Sequence, residues 1–150
     1  MATDKPWIGT PCWIEIPAVD LERCKDFYLE LFEAWDLKST PAPKDSDAPT
    51  MAMYQFKSYK TPFLSGGIMK IDSSCKGEQQ KNGNGMTVYY LVDNLEKTEE
   101  RIIQLGGKKY MGRTPTGKEG AFAKCHDTEG NLFGIYEVSN QQQAIDALGS

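Results

Sequence analysis

The sequence predicts an α+β fold of two repeated halves, each running strand–helix–strand–strand–strand. Three observations predict it. Shifted by 74 positions, Trp13–Arg23 (W-I-E-I-P-A-V-D-L-E-R) lies over Thr87–Lys97 (T-V-Y-Y-L-V-D-N-L-E-K), with Leu21 on Leu95, Glu22 on Glu96 and, further on, Leu31 on Leu105. Shifted by 67, G-G-I-M at Gly66–Met69 lies over F-G-I-Y at Phe133–Tyr136. Around both matches the elements come in the same order, as expected of a duplicated unit whose copies stack to share one core. The change of offset puts seven residues of length difference into the intervening loops.

The elements follow in order. Cys12–Pro17 alternates Ile14 and Ile16 with Trp13 and Glu15, a strand pattern that Pro17 ends. Asp20 stands where a helix N-cap accepts from the free amides of the first turn. Leu21, Cys24, Phe27, Tyr28 and Leu31 then make one apolar helix face, ending near Phe32. Residues 39–50, rich in Pro, Ser and Asp, read as a loop. Met51–Tyr59 and Pro62–Ile71 read as strands. Residues 72–85, ending in N-G-N-G and bare of core residues, read as a mobile linker. Met86–Val92 is strand-like again, and Asn94 caps a helix that buries Leu95, Ile102 and Leu105. Gly106–Gly107 stops that helix, glycine being the residue that accepts a left-handed C-terminal conformation. Strands near Lys108–Met111, Ala121–Cys125 and Asn131–Val138 follow, and the polar segment 139–150 is expected to fray.

Composition narrows the function. A net charge of −4, from 17 basic and 21 acidic residues, argues against nucleic acid as a partner, because phosphate binding relies on clustered Lys and Arg. No apolar run approaches the roughly 20 residues of a membrane span, so no membrane partner is expected. Met1–Thr10 lacks the apolar core of a signal peptide, and a cytoplasmic location is expected. The four cysteines stand far apart with no C-x-x-C, and there is one histidine, which argues against structural zinc and for reduced thiols.

The stretch I-E-I-P-A-V-D-L-E-R-C-K-D-F-Y-L-E-L-F resembles the opening module of the glyoxalase, bleomycin-resistance and extradiol-dioxygenase group, the vicinal oxygen chelate superfamily. V-Y-Y-L-V-D-N-L-E-K, then L-G-G-K, then D-T-E-G-N-L-F-G-I-Y-E is similar to its second module, and Asp127–Gly134 is the most specific piece. The resemblance covers residues 11–138. It implies a single domain over 1–150: module one at about 11–71, a linker at 72–85, module two at about 86–138 and a tail at 139–150. It also implies two βαβββ modules forming a curled mixed sheet around one cavity.

Metal-dependent members hold a divalent ion there with one side chain from the first and one from the last strand of each module. Carried over, those positions fall on Trp13, Gly67, Thr87 and Gly134. Trp offers no usable lone pair, Gly has no side chain and a Thr hydroxyl alone binds weakly. The resemblance therefore implies a metal-free subgroup with no metal cofactor, and it discounts glyoxalase I, extradiol and fosfomycin-type chemistry, which need a Lewis acid.

Strand alternation selects what shares the cavity face with those positions: Glu15 beside Trp13, Tyr89 and Leu91 beyond Thr87, Met69 beyond Gly67 and Tyr136 beyond Gly134. Met53 or Tyr54, and Phe122 or Lys124, line it from the middle strands with their phase open. Such an aromatic pocket suits a flat aromatic or polyketide-like molecule. In an enzyme of isomerase, cyclase or lyase type, Glu15, desolvated among rings, would be the base, and Tyr89 or Tyr136 would donate to a developing oxyanion. The blander expectations are an ion-paired or solvated Glu15, core-packed tyrosines, a solvated Lys124 and a surface His126 that orders the turn. The alternatives to catalysis are a sequestering protein and a vestigial pocket. The apolar backs of two small modules lead us to expect a homodimer.

Overall fold

A computed structural model describes residues 11–39, 51–57, 64–118 and 120–138, together with Ile8, Asn140, Gln142 and Asp146. In chain order the elements are β1 (Trp13–Ala18), α1 (Leu21–Leu31), β2 (Trp35–Ser39), β3 (Met51–Phe56), β4 (Ser65–Lys70), β5 (Tyr89–Val92), α2 (Leu95–Gln104), β6 (Lys108–Pro115), β7 (Gly120–His126) and β8 (Leu132–Val138). They form two four-stranded mixed sheets, A in the order β1-β4-β3-β2 and B in the order β5-β8-β7-β6. Each is strand–helix–strand–strand–strand, and the sheets do not close on one another. The duplication reaches down to register. Glu15 pairs with Gly67 across parallel β1 and β4, and Tyr89 pairs with Gly134 across parallel β5 and β8, the equivalents under the two offsets.

Both helices start as their caps dictate. The Asp20 carboxylate accepts from the amide of Arg23, and the Asn94 side chain accepts from that of Lys97. Gly106 sits at φ 95°, the left-handed stop of α2. Several boundaries differ from the sequence expectation, among them the start of β5, expected at Met86 and found at Tyr89. β2 was not picked out, because W-D-L-K-S is a five-residue run beside a proline-rich loop. The described part of β3 ends at Phe56, and positions 58–63 of the two expected strands lie outside the described residues. β6 continues to Pro115 through irregular register at 109–114, where bulges disguise the alternation. The expected loop at 39–50 lies outside the described residues beyond Ser39, and so does most of the polar tail.

One core joins the modules. Tyr28 of α1 stacks on Trp35 of β2 at 4.7 Å, and Trp35 stacks on Tyr54 of β3 at 4.3 Å. Tyr90 and Phe133 of sheet B close on the same rings. Ile16, Ala18, Ala52 and Ile68 from sheet A belong to the same cluster as Ala121, Ala123, Cys125 and Ile135 from sheet B, joined by Cys24 of α1 and by Leu95 and Ile102 of α2. Each sheet turns its helix-bearing face into this core, so the other face of each is directed away from it. Cys24 and Cys125 are buried, and burial raises both thiols, Cys125 to about 12; Cys12 and Cys75 are exposed.

The turn D-T-E-G-N ties the modules together. Gly130 takes φ 83° at its tip. The Glu129 carboxylate accepts from the Asp20 amide at 2.7 Å and from Arg23 at 2.5 Å, and the Asn131 side chain donates to the Pro17 carbonyl at 3.0 Å. Asp127 is buried, and its carboxylate accepts from the Tyr28 hydroxyl, the Glu129 and Asn131 amides and the Asn131 side chain. Burial still pushes its carboxyl above the ordinary carboxylate range, against the pull of those donors.

Candidate functional site

The outer face of sheet B is a grid. One row runs Tyr89–Gly134–Lys124–Met111 and the next Leu91–Tyr136–Phe122–Thr114. Gly134 lets the row close up. A Cβ there would stand 2.1 Å from Tyr89 Cδ1 and 2.4 Å from Cε1, so the phenol ring lies directly on the glycine. That ring meets Phe122 edge to face at 5.7 Å, and the Lys124 ammonium lies 5.9 Å from its centroid. The Tyr136 hydroxyl shares a hydrogen bond with Thr116 at 3.0 Å.

Sheet A repeats the device with different side chains. Its rows are Trp13–Ser65–Gln55, Glu15–Gly67–Met53 and Pro17–Met69–Met51. A Cβ on Gly67 would stand 2.3 Å from Met51 Sδ and 3.0 Å from Trp13 Cζ2, so a thioether and an indole cover this glycine. The Trp13 indole N–H donates to Glu15 Oε2 at 3.2 Å.

The open phases are now assigned. Met53 lies on the outer face, whereas Tyr54 points inward and donates to the Ile14 carbonyl. Phe122 and Lys124, two residues apart, both lie outward. Trp13, Glu15, Gly67 and Met69 gather on sheet A's outer face; Thr87, Tyr89, Leu91, Phe122, Lys124, Gly134 and Tyr136 gather on sheet B's side of the molecule. The hydrogen-bond and ring contacts of Trp13 and Glu15 stay within sheet A. Those of Tyr89, Phe122, Lys124 and Tyr136 stay within module two and its preceding segment. Glu15 is exposed in the single chain.

The 72–85 segment has a place in this site. Read from the sequence as a mobile linker bare of core residues, it makes specific contacts with the β7–β8 hairpin. Gln80 donates its amide to Gly130, its side-chain oxygen accepts from the Leu132 amide, and its carbonyl lies 2.5 Å from His126 Nε2. A carbonyl only accepts, so the ring nitrogen donates. His126 is thereby buried beneath Gln80 and against Tyr110, not a surface turn residue. Two residues on, the Asn82 amide donates to the Tyr110 hydroxyl, and the Asn82 side-chain oxygen accepts from the Lys124 ammonium. The segment thus crosses one end of sheet B's outer face. Asn82, Tyr110 and Met51 carry no sequence signal for this, because each enters through a long-range contact.

The metal that the fold family implies does not fit these residues. Two of the four positions are glycines, and both are roofed by Trp13 and Met51 or by Tyr89. Among the described residues no three or more His, Cys, Asp or Glu side chains are grouped to hold an ion. An apolar crevice of about 310 Å³ between the modules is lined by Ile14, Trp35, Phe56 and Tyr90 and shares Tyr89 and Leu91 with the face of sheet B; a polar cleft of about 480 Å³ lies beside the D-T-E-G-N turn.

No model of a known protein family matches the chain. It is 32% identical over 124 residues to a glyoxylase-like domain-containing protein of Didymella fabae, covering 81% of this chain and 88% of that one. A protein of Mycobacterium bovis named as a glyoxylase, CFP32, is 23% identical over 132 residues, and the chain spans only 46% of its length. Among solved structures, the fosfomycin resistance protein FosX of Listeria monocytogenes, complexed with Mn(II) and 1S,2S-dihydroxypropylphosphonic acid, has a TM-score of 0.65 at 19% identity, covering 91% of this chain and 97% of that one. A glyoxalase/bleomycin resistance protein/dioxygenase family enzyme of Burkholderia phytofirmans has a TM-score of 0.59 at 16% identity, covering 85% and 97%. With the repeated βαβββ modules and their matching register, these relations make the chain a member of the glyoxalase-like group of the vicinal oxygen chelate superfamily.

Proposed function

We propose that the outer faces bind a flat aromatic or polyketide-like small molecule without a metal, and that Glu15 and the phenols of Tyr89 and Tyr136 act on it by acid–base chemistry. The observation that carries this is the pair of glycines roofed by side chains. At equivalent places in the two modules, Gly134 seats the Tyr89 ring and Gly67 the Met51 thioether with the Trp13 indole, an arrangement that lays apolar groups on the sheet and leaves no room for metal ligands. Glu15 would take a proton from an activated carbon or phenol, the phenol hydroxyls would donate to the oxygen that gains charge, and the proton would return elsewhere on the same molecule. This is an isomerisation or cyclisation with no net redox change. A second copy of the chain would supply the facing wall, setting module one of one chain against module two of the other and withdrawing Glu15 from water.

A sequestering role is the second reading. It is favoured by the Trp13–Glu15 hydrogen bond, which occupies the proposed base. Glu15→Gln separates the two. Loss of turnover with retained affinity supports the enzyme, and unchanged binding with no turnover in either form supports sequestration.

A further inference from the structure

We infer that Asn82 occupies the place of an acidic ligand oxygen at Lys124, and that the molecule this face takes is a planar aromatic carrying an ionised oxygen, whose arrival lifts the 81–86 segment. This inference rests on the outer face of sheet B being the binding surface. The Lys124 ammonium stands over the Tyr89 ring, beside Phe122 and next to the glycine that seats that ring. Its hydrogen-bonded partner is the neutral amide oxygen of Asn82. An ionised carboxylate or phenolate adds to the hydrogen bond a full charge–charge attraction to the ammonium that the neutral amide oxygen lacks, so exchange is favourable once a ring system is held against Tyr89 and Phe122.

The segment is held firmly at Gln80 and by exposed bonds beyond it. Gln80 is fastened to Gly130, Leu132 and His126. Past it, Asn82 holds to Tyr110 and Lys124, the Gln80 side-chain amide donates to the Asn84 and Met86 carbonyls in long, exposed bonds of 3.3 and 3.4 Å, residues 81–86 are exposed, and Gly83 and Gly85 sit at φ 81° and 107°, where backbone turns without side-chain hindrance. Gln80 is thus the fixed point and Asn82 the tip.

The test titrates 2-naphthoate and its neutral isostere 2-naphthamide into wild type, Asn82→Ala and Lys124→Met by calorimetry, with amide hydrogen exchange of residues 80–86 as a second readout. Wild type is expected to prefer naphthoate. Asn82→Ala should tighten naphthoate about tenfold, the factor expected if the tie holds Lys124 nine-tenths of the time, and leave naphthamide unchanged. Lys124→Met should abolish the preference. Naphthoate, and not naphthamide, should speed exchange at 81–86 while that of Gln80 stays slow. Equal binding of both probes in all three proteins, or weaker naphthoate binding by Asn82→Ala, overturns the exchange at Lys124 while leaving the face as a binding surface. Failure of every protein to bind either probe overturns both.

Discussion

At the scale of single residues, two glycines and one hydroxyl carry most of the consequence. Gly134→Ala puts a methyl 2.1 Å from the Tyr89 ring, which has to leave the sheet and give up its edge contact with Phe122. Overpacking of this kind costs about 1–3 kcal/mol. We expect a lower melting temperature and at least a tenfold loss of planar-ligand affinity by calorimetry. Gly67→Ala meets first the end of the Met51 side chain, which has three rotatable bonds, so its effect should be the smaller of the two. Reversed magnitudes would remove the case for a ring seat in module two. Tyr28→Phe keeps the ring on Trp35 and deletes only the donor to Asp127. A hydrogen bond to a buried carboxylate is worth about 2 kcal/mol, and urea unfolding at neutral pH should show a loss of that order.

At the scale of elements, α2 is tied down electrostatically. Glu96 at its first turn takes two hydrogen bonds from Arg113 of β6, at 2.7 and 3.0 Å, and Arg113 reaches Glu137 of β8 at 3.1 Å, while Glu137 also accepts from the Leu95 amide. Hydrogen bonding from Arg113 holds the Glu96 carboxyl down to about 2, against an ordinary value of 4.5. A carboxyl depressed by folding adds stability that is complete above its unfolded value and is lost as pH falls through its folded one. The urea midpoint of wild type should therefore exceed that of Glu96→Gln at pH 6, and the gap should narrow from about pH 4.5 and close near pH 2. The group is exposed, so 0.5 M salt should shrink the gap. A gap independent of pH would show that the glutamate acts by packing. The 72–85 segment teaches a related lesson. Its composition reads as an unpacked tether, yet Gln80 alone makes three contacts with the β7–β8 hairpin, because a main chain lying over a sheet finds partners whatever its side chains.

At the scale of the whole molecule, a single chain leaves its outer faces open. Trp13 and Met53 are 40% exposed, Tyr89 43% and Leu91 50%, apolar groups that a second copy would cover. We expect a homodimer in light scattering, and a monomer mass at every concentration up to millimolar would dismiss a site completed by a second copy. Elemental analysis of purified protein should give less than about one-tenth equivalent of any first-row transition metal, since the four carried-over positions offer no usable donor set. A stoichiometric ion that survives dialysis and is lost with Glu15→Gln would require a different ligand assignment.

The sequence by itself determined the duplication, the caps of both helices, and which alternate residues leave the core. Each of these is written in periodicity or in local hydrogen-bonding chemistry, so Trp13 with Glu15 and Tyr89 with Leu91 were legible as face-mates before any contact was known. Their register partners Gly67 and Gly134 were legible through the second offset. Only the tertiary structure decided that the Tyr89 ring lies on Gly134 and Met51 with Trp13 on Gly67, that Lys124 and Phe122 share a face while Tyr54 turns inward, and that His126 is roofed by Gln80. It also decided that both sheets put their helix-bearing faces into one core. These are pairings between residues tens of positions apart, set by how two sheets pack and not by any local pattern, and period-two alternation is silent about what stands opposite a face.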